Sequence, residues 1–248
     1  MMCSRKFQIL KENISHYHGD FMDFENSRKN FNKASSKTLD CVDNGFAHID
    51  FEIFDTDYIT IIFVKDKLDY TGREIEPLWA FKTFDVQKDS IVVFRGKMNV
   101  SIDNMKDLKD IKREKNIKIP IKSEDAINFV VEHFDAIDLK TIYLRQRLLV
   151  FIAKEVIESY NIRLKRDGDD LYFEDKKLSV CIACKGTVSA KIHLGINVKS
   201  KGAEHVKIIG LEDLEINNVN EVMRKIAIKY AEEINKIEKD LRKTLPLL

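Results

Sequence analysis

The chain has little of what staples or interrupts a fold: 4 cysteines, 3 prolines, 9 glycines and one tryptophan in 248 residues. Four cysteines are too few for the disulfide framework of a small secreted domain, and Met-Met-Cys-Ser-Arg-Lys leads straight into polar sequence, so a cytoplasmic setting is expected. Long apolar runs are missing as well. Ile59 to Val64 and Leu148 to Ala153 fall far short of the roughly 20 residues that cross a bilayer, which sets membrane passage aside. Neither charge is in excess, with 42 Lys and Arg against 41 Asp and Glu. That balance disfavours a general nucleic-acid surface and leaves only a local basic patch open. With 44% apolar residues and so little glycine and proline, collagen-like and disordered chains are excluded. A globular chain remains, long enough to bury a core without metal or disulfide staples.

Two spacings have metal-ligand character. Cys181 and Cys184 form Cys-x-x-Cys, but no second pair completes a four-ligand zinc site, and on a strand these positions point to opposite faces. Half-buried thiols are expected in preference to metal or redox work. His16 and His18 would share a face on a strand, but no further ligand is placed beside them, so a surface pair is expected and no metal site is assigned.

Residues 1–56 read differently from the rest. Asn26, Ser27, Asn30, Asn32, Ser35 and Ser36 break any sustained period, so this stretch is expected to be a loosely structured extension and 57–248 a single domain. Ile59 to Val64 and Ser90 to Phe94 have the β-branched, apolar character of core strands. Pro120 and the capping signal Ser123-Glu124-Asp125-Ala126 predict a helix to about Phe134. Leu144, Leu148, Ile152 and Val156 predict a longer helix from about 139 to 160. A strand meander follows from Ile162 to Val198, with turns at Asp167 to Asp170 and Glu174 to Lys176. A last helix spans about 219 to 241, with Pro246 beyond it. Strands and helices in separate runs predict an α+β fold: a mixed, mostly antiparallel sheet flanked by helices.

Polar residues interrupt the meander where burial alone would not call for them. Asp167, Asp169 and Asp170 crowd one turn, Lys177 opens a strand, and His193 and Asn197 share a face with Gly195 between them. A glycine between His and Asn leaves a shallow trough with polar walls, fit for a flat ligand or a close backbone. The plainer alternative is that His193 and Asn197 satisfy loop backbone and Gly195 marks a bulge. Arg145, Arg147, Lys154, Arg163, Lys165 and Arg166 form a basic cluster, read as a solvated face balanced by Glu155, Glu158 and the Asp turn. Glu132, His133 and Asp135 are read as a structural helix end.

Asp169-Asp170-Leu171-Tyr172, Lys177-Leu178-Ser179 and Ile192 to Val198 resemble the central part of the biotin and lipoate protein ligase catalytic domain, whose fold is shared with class II aminoacyl-tRNA synthetases. Over a longer stretch, about 59 to 235, the chain resembles a prokaryotic family described as domain of unknown function three hundred sixty-six. The runs that carry this are Asp69-Tyr70-x-Gly72, Asp89 to Gly96, Arg145-Gln146-Arg147-Leu148-Leu149 and Gly168-Asp169-Asp170-Leu171.

The ligase resemblance implies a role for each matching position. Lys177 takes the place of a lysine that contacts an acyl-adenylate, where a fixed cation offsets developing charge. Asp169 and Asp170 stand at the Asn-Asp turn, Asn197 at the strand Asn, and His193 where the ligases have Gly. The Arg- and Gly-rich adenylate loop is reduced to Arg95-Gly96-Lys97, with Arg95 expected to reach a phosphate or carboxylate, and Val180 replaces the Gly after Lys-x-Ser. The expectation is an enzyme of ligase or acyltransferase type with Lys177 catalytic. Arg95, Gly96, Asp169, Asp170, His193, Gly195 and Asn197 would bind a small carboxylate or acyl compound, with ATP and magnesium as the implied cofactor. The alternative is a non-catalytic module for a small molecule or an RNA end. Pairing of two copies through sheet edges is left open.

Overall fold

The computed structural model describes residues 32–39, 49–109, 111–112, 121–135, 138–203 and 206–247. Its centre is a seven-stranded sheet. The strands are β1 (Asn32–Leu39), β2 (Ile49–Asp55), β3 (Thr60–Lys67), β4 (Ser90–Val100), β5 (Ile121–His133), β9 (Ser179–Lys185) and β10 (Ala190–Asn197), in the spatial order β1-β2-β3-β4-β5-β10-β9. Only β3 and β4 run parallel, joined by a crossover that holds α1 (Trp79–Phe84); the other pairs are antiparallel. A small antiparallel sheet of β6 (Lys165–Asp167), β7 (Asp170–Phe173) and β8 (Lys176–Lys177) precedes β9. With α2 (Leu139–Glu158) and α3 (Val219–Leu241), this is the expected α+β arrangement.

Alternation along the strands sorts the core into two layers. Ile91, Val93, Ile127, Phe129, Val131, Ile192, Leu194 and Ile196 face α2 and α3. Ile62, Val92, Phe94 and Val130 face the crossover, where Tyr70, Ile75, Ala80 and Phe84 cover them. Phe51 on β2 is buried edge-on to Phe84, with ring centroids 5.0 Å apart. Two strands, β1 and β2, thus fall in the stretch read from sequence as an extension. Cys3, Cys41, His16 and His18 lie outside the described residues.

The helix expected over 123–134 is strand β5. Ala126 to Val131 is buried on both faces of the sheet, and Ile127, Phe129, Val130 and Val131 suit a pleated central strand better than a helix. The capping signal at Ser123 was outweighed by this two-sided burial. The stripe expected on α2 also shifts. A spacing of four residues drifts about 40° per step around a helix, so Ile152 and Val156 are buried while Leu144 is 62% exposed. The inner face instead uses Ile142, Gln146, Leu149, Ala153 and Ile157. Asp138 and Asn218 cap α2 and α3, accepting from the amides of Thr141 and Glu221.

A strap of residues 68–72 extends the parallel pairing along β4. Leu68 N–H donates to Arg95 O, Tyr70 N–H to Lys97 O, and Asn99 N–H to Tyr70 O. Asp69 accepts from Lys97 N–H. Gly96 makes this approach possible, since a Cβ there would stand 2.1 Å from Leu68 O. Gly96→Ala is expected to lift the strap and lower stability by about 1–3 kcal/mol, the usual range for overpacking. Urea unfolding of the variant checks this, and an unchanged midpoint would mean that the strap yields freely.

Candidate functional site

The sequence-derived site residues fall into three groups. In the first, β10 turns Ile192, Leu194 and Ile196 toward the helices, so Lys191, His193, Gly195 and Asn197 face the crossover layer. His193 is 2% exposed. Its Nε2 lies 3.0 Å from Asn128 Oδ1. The Tyr70 ring lies parallel to the imidazole at a 3.5 Å centroid distance. The Asn128 amide also donates to Ala126 O at 3.4 Å, which fixes its orientation and assigns the ring proton to Nε2. Burial pushes the His193 pKa down to about 3, so the ring is neutral near pH 7. Burial, with Glu74 adding to it, pushes the Tyr70 phenol up.

Gly195 is no bulge, for it keeps regular register with Asn128 and Val180. A Cβ there would meet His193 Cε1 and Met98 Sδ at 3.2 Å. The space over Gly195 is filled by the side chains of His193, Met98 and Val180, and the Tyr70 ring lies on the face of His193. Tyr70 and Asn197 are 2% and 8% exposed; among the described residues, the buried side-chain atoms without a hydrogen-bond partner include Ser90 Oγ, Gln146 Oε1 and Tyr160 Oη. Asn128 and the Tyr70 contact were missed from sequence. A lone Asn inside the apolar run 126–131 was the signal, hidden by the helical reading.

The second group surrounds the turn at Gly168 and Asp169, where Gly168 adopts φ 61°. The ammonium of Lys177 on β8 is 2.7 Å from Asp170 Oδ2 on β7, and both side chains are about three-quarters buried. Burial raises the Asp170 carboxyl despite that partner. Asp169 is held from α2, accepting from Gln146 Nε2 at 2.8 Å and pairing with Arg147 at 2.9 Å. Burial raises the Cys181 thiol, with Asp169 adding to it, and this argues against a nucleophile there. Cys181 packs on the helix side and Cys184 on the crossover side, as their spacing required. Within the basic cluster, Arg145 pairs with Asp135, Arg147 with Asp169 and Lys154 with Glu158.

The third group is Arg95 and Gly96. Both lie inside β4 and not in a loop. Arg95 forks onto Asp125, Nε to Oδ1 at 2.9 Å and Nη2 to Oδ2 at 2.6 Å, with Glu212 3.9 Å away.

Two further polar clusters were read as a helix end and are strand features. Alternation at the end of β5 sends Glu132 to the crossover face and His133 to the helix face. Glu132 and Lys191, each 1% exposed, pair at 2.6 Å, and Glu132 also accepts from Ser189 Oγ and Leu78 N–H. His133 bridges Asp89, 2.7 Å from Nδ1, and Tyr230 Oη, 2.8 Å from Nε2, which ties α3 to the sheet. Asp89, His133 and Asp135 offer ligand atoms within 4.8 Å of one another. The His133 ring is already engaged at both nitrogens, and Asp135 is engaged by Arg145.

The family model described as domain of unknown function, DUF366, matches residues 59–245. The chain belongs to the DUF366 family. An uncharacterized protein of Methanocaldococcus jannaschii, MJ0805, is 76% identical to the DUF366 chain over the full length of both. A solved protein of unknown function from Pyrococcus horikoshi is 34% identical, with TM-score 0.71, covering 77% of this chain and 100% of its own. The biotin protein ligase of Aquifex aeolicus in complex with biotin and ATP is 15% identical, with TM-score 0.49, covering 74% of this chain and 73% of its own.

Each of the runs that carry the family resemblance makes a contact near the site, and two of them meet each other at Asp169. Tyr70 of Asp69-Tyr70-x-Gly72 stacks on His193, Asp89 holds His133, and Gln146 and Arg147 hold Asp169. A nucleotide with magnesium does not fit the residues expected to hold it in this DUF366 chain. Arg95 is neutralised by Asp125, Asp170 is taken by Lys177, and Asp169 by Arg147 and Gln146.

Proposed function

We propose that the protein binds a small acyl compound on the crossover face of the sheet, between Tyr70, His193, Gly195 and Asn197, without activating it through a nucleotide. One observation carries this reading. Tyr70, His193 and Asn197, each less than a tenth exposed, bring polar groups to the largely apolar crossover face beside Gly195. A few polar groups convergent in an apolar setting are what orients a small ligand.

The second reading, ligation or acyl transfer with Lys177 as electrostatic stabiliser, draws on a different observation. Lys177 is a partly buried cation whose partner, Asp170, is itself unfavourably buried, so an incoming carbonyl or carboxylate oxygen could take Asp170's place. The two readings separate by thermal shift with biotin, lipoate, octanoate and ATP, each against Lys177→Ala and Asn197→Ala. Binding lost in Asn197→Ala and kept in Lys177→Ala, with no shift from ATP, is the expected result. Loss in Lys177→Ala together with an ATP shift favours ligation. Binding that neither substitution changes would overturn both.

A further inference from the structure

We propose that the outer face of α2 is a dimerisation surface, on which a second copy of this chain lays its own α2 antiparallel about a two-fold axis between Arg147 and Leu148. This face and the crossover face lie on opposite sides of the sheet, so the pairing holds whether or not a ligand binds on the other side.

A helix laid on a sheet ordinarily buries one stripe and turns charge to the solvent. α3 does so, with Lys225, Lys229, Glu232 and Lys236 recurring along its outer side. α2 does not. Its inner face holds Ile142, Leu149, Ala153 and Val156, yet on the opposite side Leu144 is 62% and Phe151 48% exposed, with half-buried Leu148 between them. At about 100° per residue, Lys140, Leu144, Phe151 and Glu155 fall within about 60° of arc, nearly opposite Leu149 and Ala153. Single exposed apolar side chains are ordinary, but two of them one heptad apart with a third between make a seam that another helix can bury.

The order of residues along this seam points to its occupant. Toward the C-terminus it runs cation, apolar, apolar, anion: Lys140, Leu144, Phe151, Glu155. Such a stripe is complementary to its own reverse. In an antiparallel pair centred between 147 and 148, Lys140 stands level with Glu155 of the second copy and Leu144 with Phe151 of the second copy, and the two-fold axis makes each contact twice. Among the described residues neither Lys140 nor Glu155 has an ion-pair partner in its own chain, whereas the charges beside them are spent, Arg147 on Asp169 at 2.9 Å and Lys154 on Glu158 at 2.6 Å. Arg147 stands next to the axis, and Asp169 offsets the repulsion its two copies would otherwise feel. A shallow crossing of about 20° keeps both ends of the seam within reach. An interface of one 20-residue helix from each copy falls at the small end of specific interfaces, below about 1,200 Å², so a reversible, concentration-dependent dimer is expected.

Sedimentation velocity of the full-length protein across the micromolar range tests this, with the mass expected to rise reversibly from one chain to two. Leu144→Glu, at a position too exposed for folding to depend on it, should keep the urea midpoint and weaken pairing about tenfold or more. Lys140→Glu and Glu155→Lys should each weaken it about fivefold, since each turns two attractions into two repulsions, and the double swap should restore it. That rescue is specific to antiparallel pairing in this register. A single-chain mass throughout, a dimer that Leu144→Glu leaves intact, as pairing through a sheet edge would be, or a double swap no better than the single ones would each overturn the inference. So would a single-chain protein whose urea midpoint falls in Leu144→Glu, which would assign the face to another segment of the same chain.

Discussion

Glu132→Gln is expected to destabilise the protein by about 3–5 kcal/mol, the range for removing one partner of a buried ion pair. Both side chains are 1% exposed, so neither can turn to water when the other is lost. The substitution keeps the volume and a carbonyl for Leu78 N–H and Ser189 Oγ, isolating the loss of charge opposite Lys191. Lys191→Met should be milder, because the orphaned Glu132 carboxylate keeps those two donors. The double variant should recover much of the loss, since it buries no unpaired charge. That ordering, read from urea unfolding in a double-mutant cycle, would collapse if Glu132→Gln lost less than about 1 kcal/mol, the worth of an exposed pair. Desolvation lowers the Lys191 pKa despite Glu132, so the ammonium would shed its proton more readily still in Glu132→Gln. The damage should be centred on the crossover. Glu132 joins the amide that leads into α1, the β9–β10 connection at Ser189 and the sheet itself.

Sequence pattern was strongest where burial was one-sided. α3 occupies the span expected for it, because an amphipathic helix at a sheet surface repeats one period from end to end. The meander from β6 to β10 was legible for a similar reason, since its turns are marked by Gly168 and by the acidic and lysine residues around 174–176. β5 was not legible. A central strand buried on both faces loses its alternation, and a Ser-x-x-like start then mimics a helix cap. The β2 strand was missed although its antiparallel partner β3 follows after residues 56–59, because the ring that buries Phe51 comes from Phe84, far along the chain in the crossover.

For the candidate site, residues on one strand could be grouped from sequence and residues brought together by topology could not. His193, Gly195 and Asn197 share a face because strand geometry requires it. Nothing in the sequence places Tyr70 over His193. That stack depends on the strap along β4, which depends on Gly96 allowing Leu68 O to approach. Gly96 was singled out as the remnant of a loop, yet its role is this close backbone contact within a strand. Arg95 similarly looks free in sequence and is taken by Asp125 in space. The near balance of 42 basic against 41 acidic residues leads to the same point, because the cations read as candidate ligands for anions mostly find a carboxylate of the chain itself.

Wild-type protein is expected to lose about 2 kcal/mol more stability than His193→Gln between pH 7 and pH 5. The cause is the buried neutral imidazole, whose pKa falls from the ordinary 6.5 to about 3 on folding. Between those values the unfolded chain binds a proton at this ring and the folded chain does not. Stability therefore rises with pH across the window; this contribution is fully present above 6.5 and is lost as pH falls toward 3. A slope near 1.4 kcal/mol per pH unit is the limit for one such group. Carboxylates enter differently. Asp135, held low by Arg145, loses its contribution only as pH drops below the usual carboxylate range near ~4, and Asp170, raised by burial, acts with the opposite sign. Both are present in wild type and variant, so they cancel in the comparison. Urea midpoints at pH 7, 6 and 5 for the two proteins should therefore diverge steadily, with the variant flatter. Parallel profiles would mean that His193 takes up its proton in the folded state.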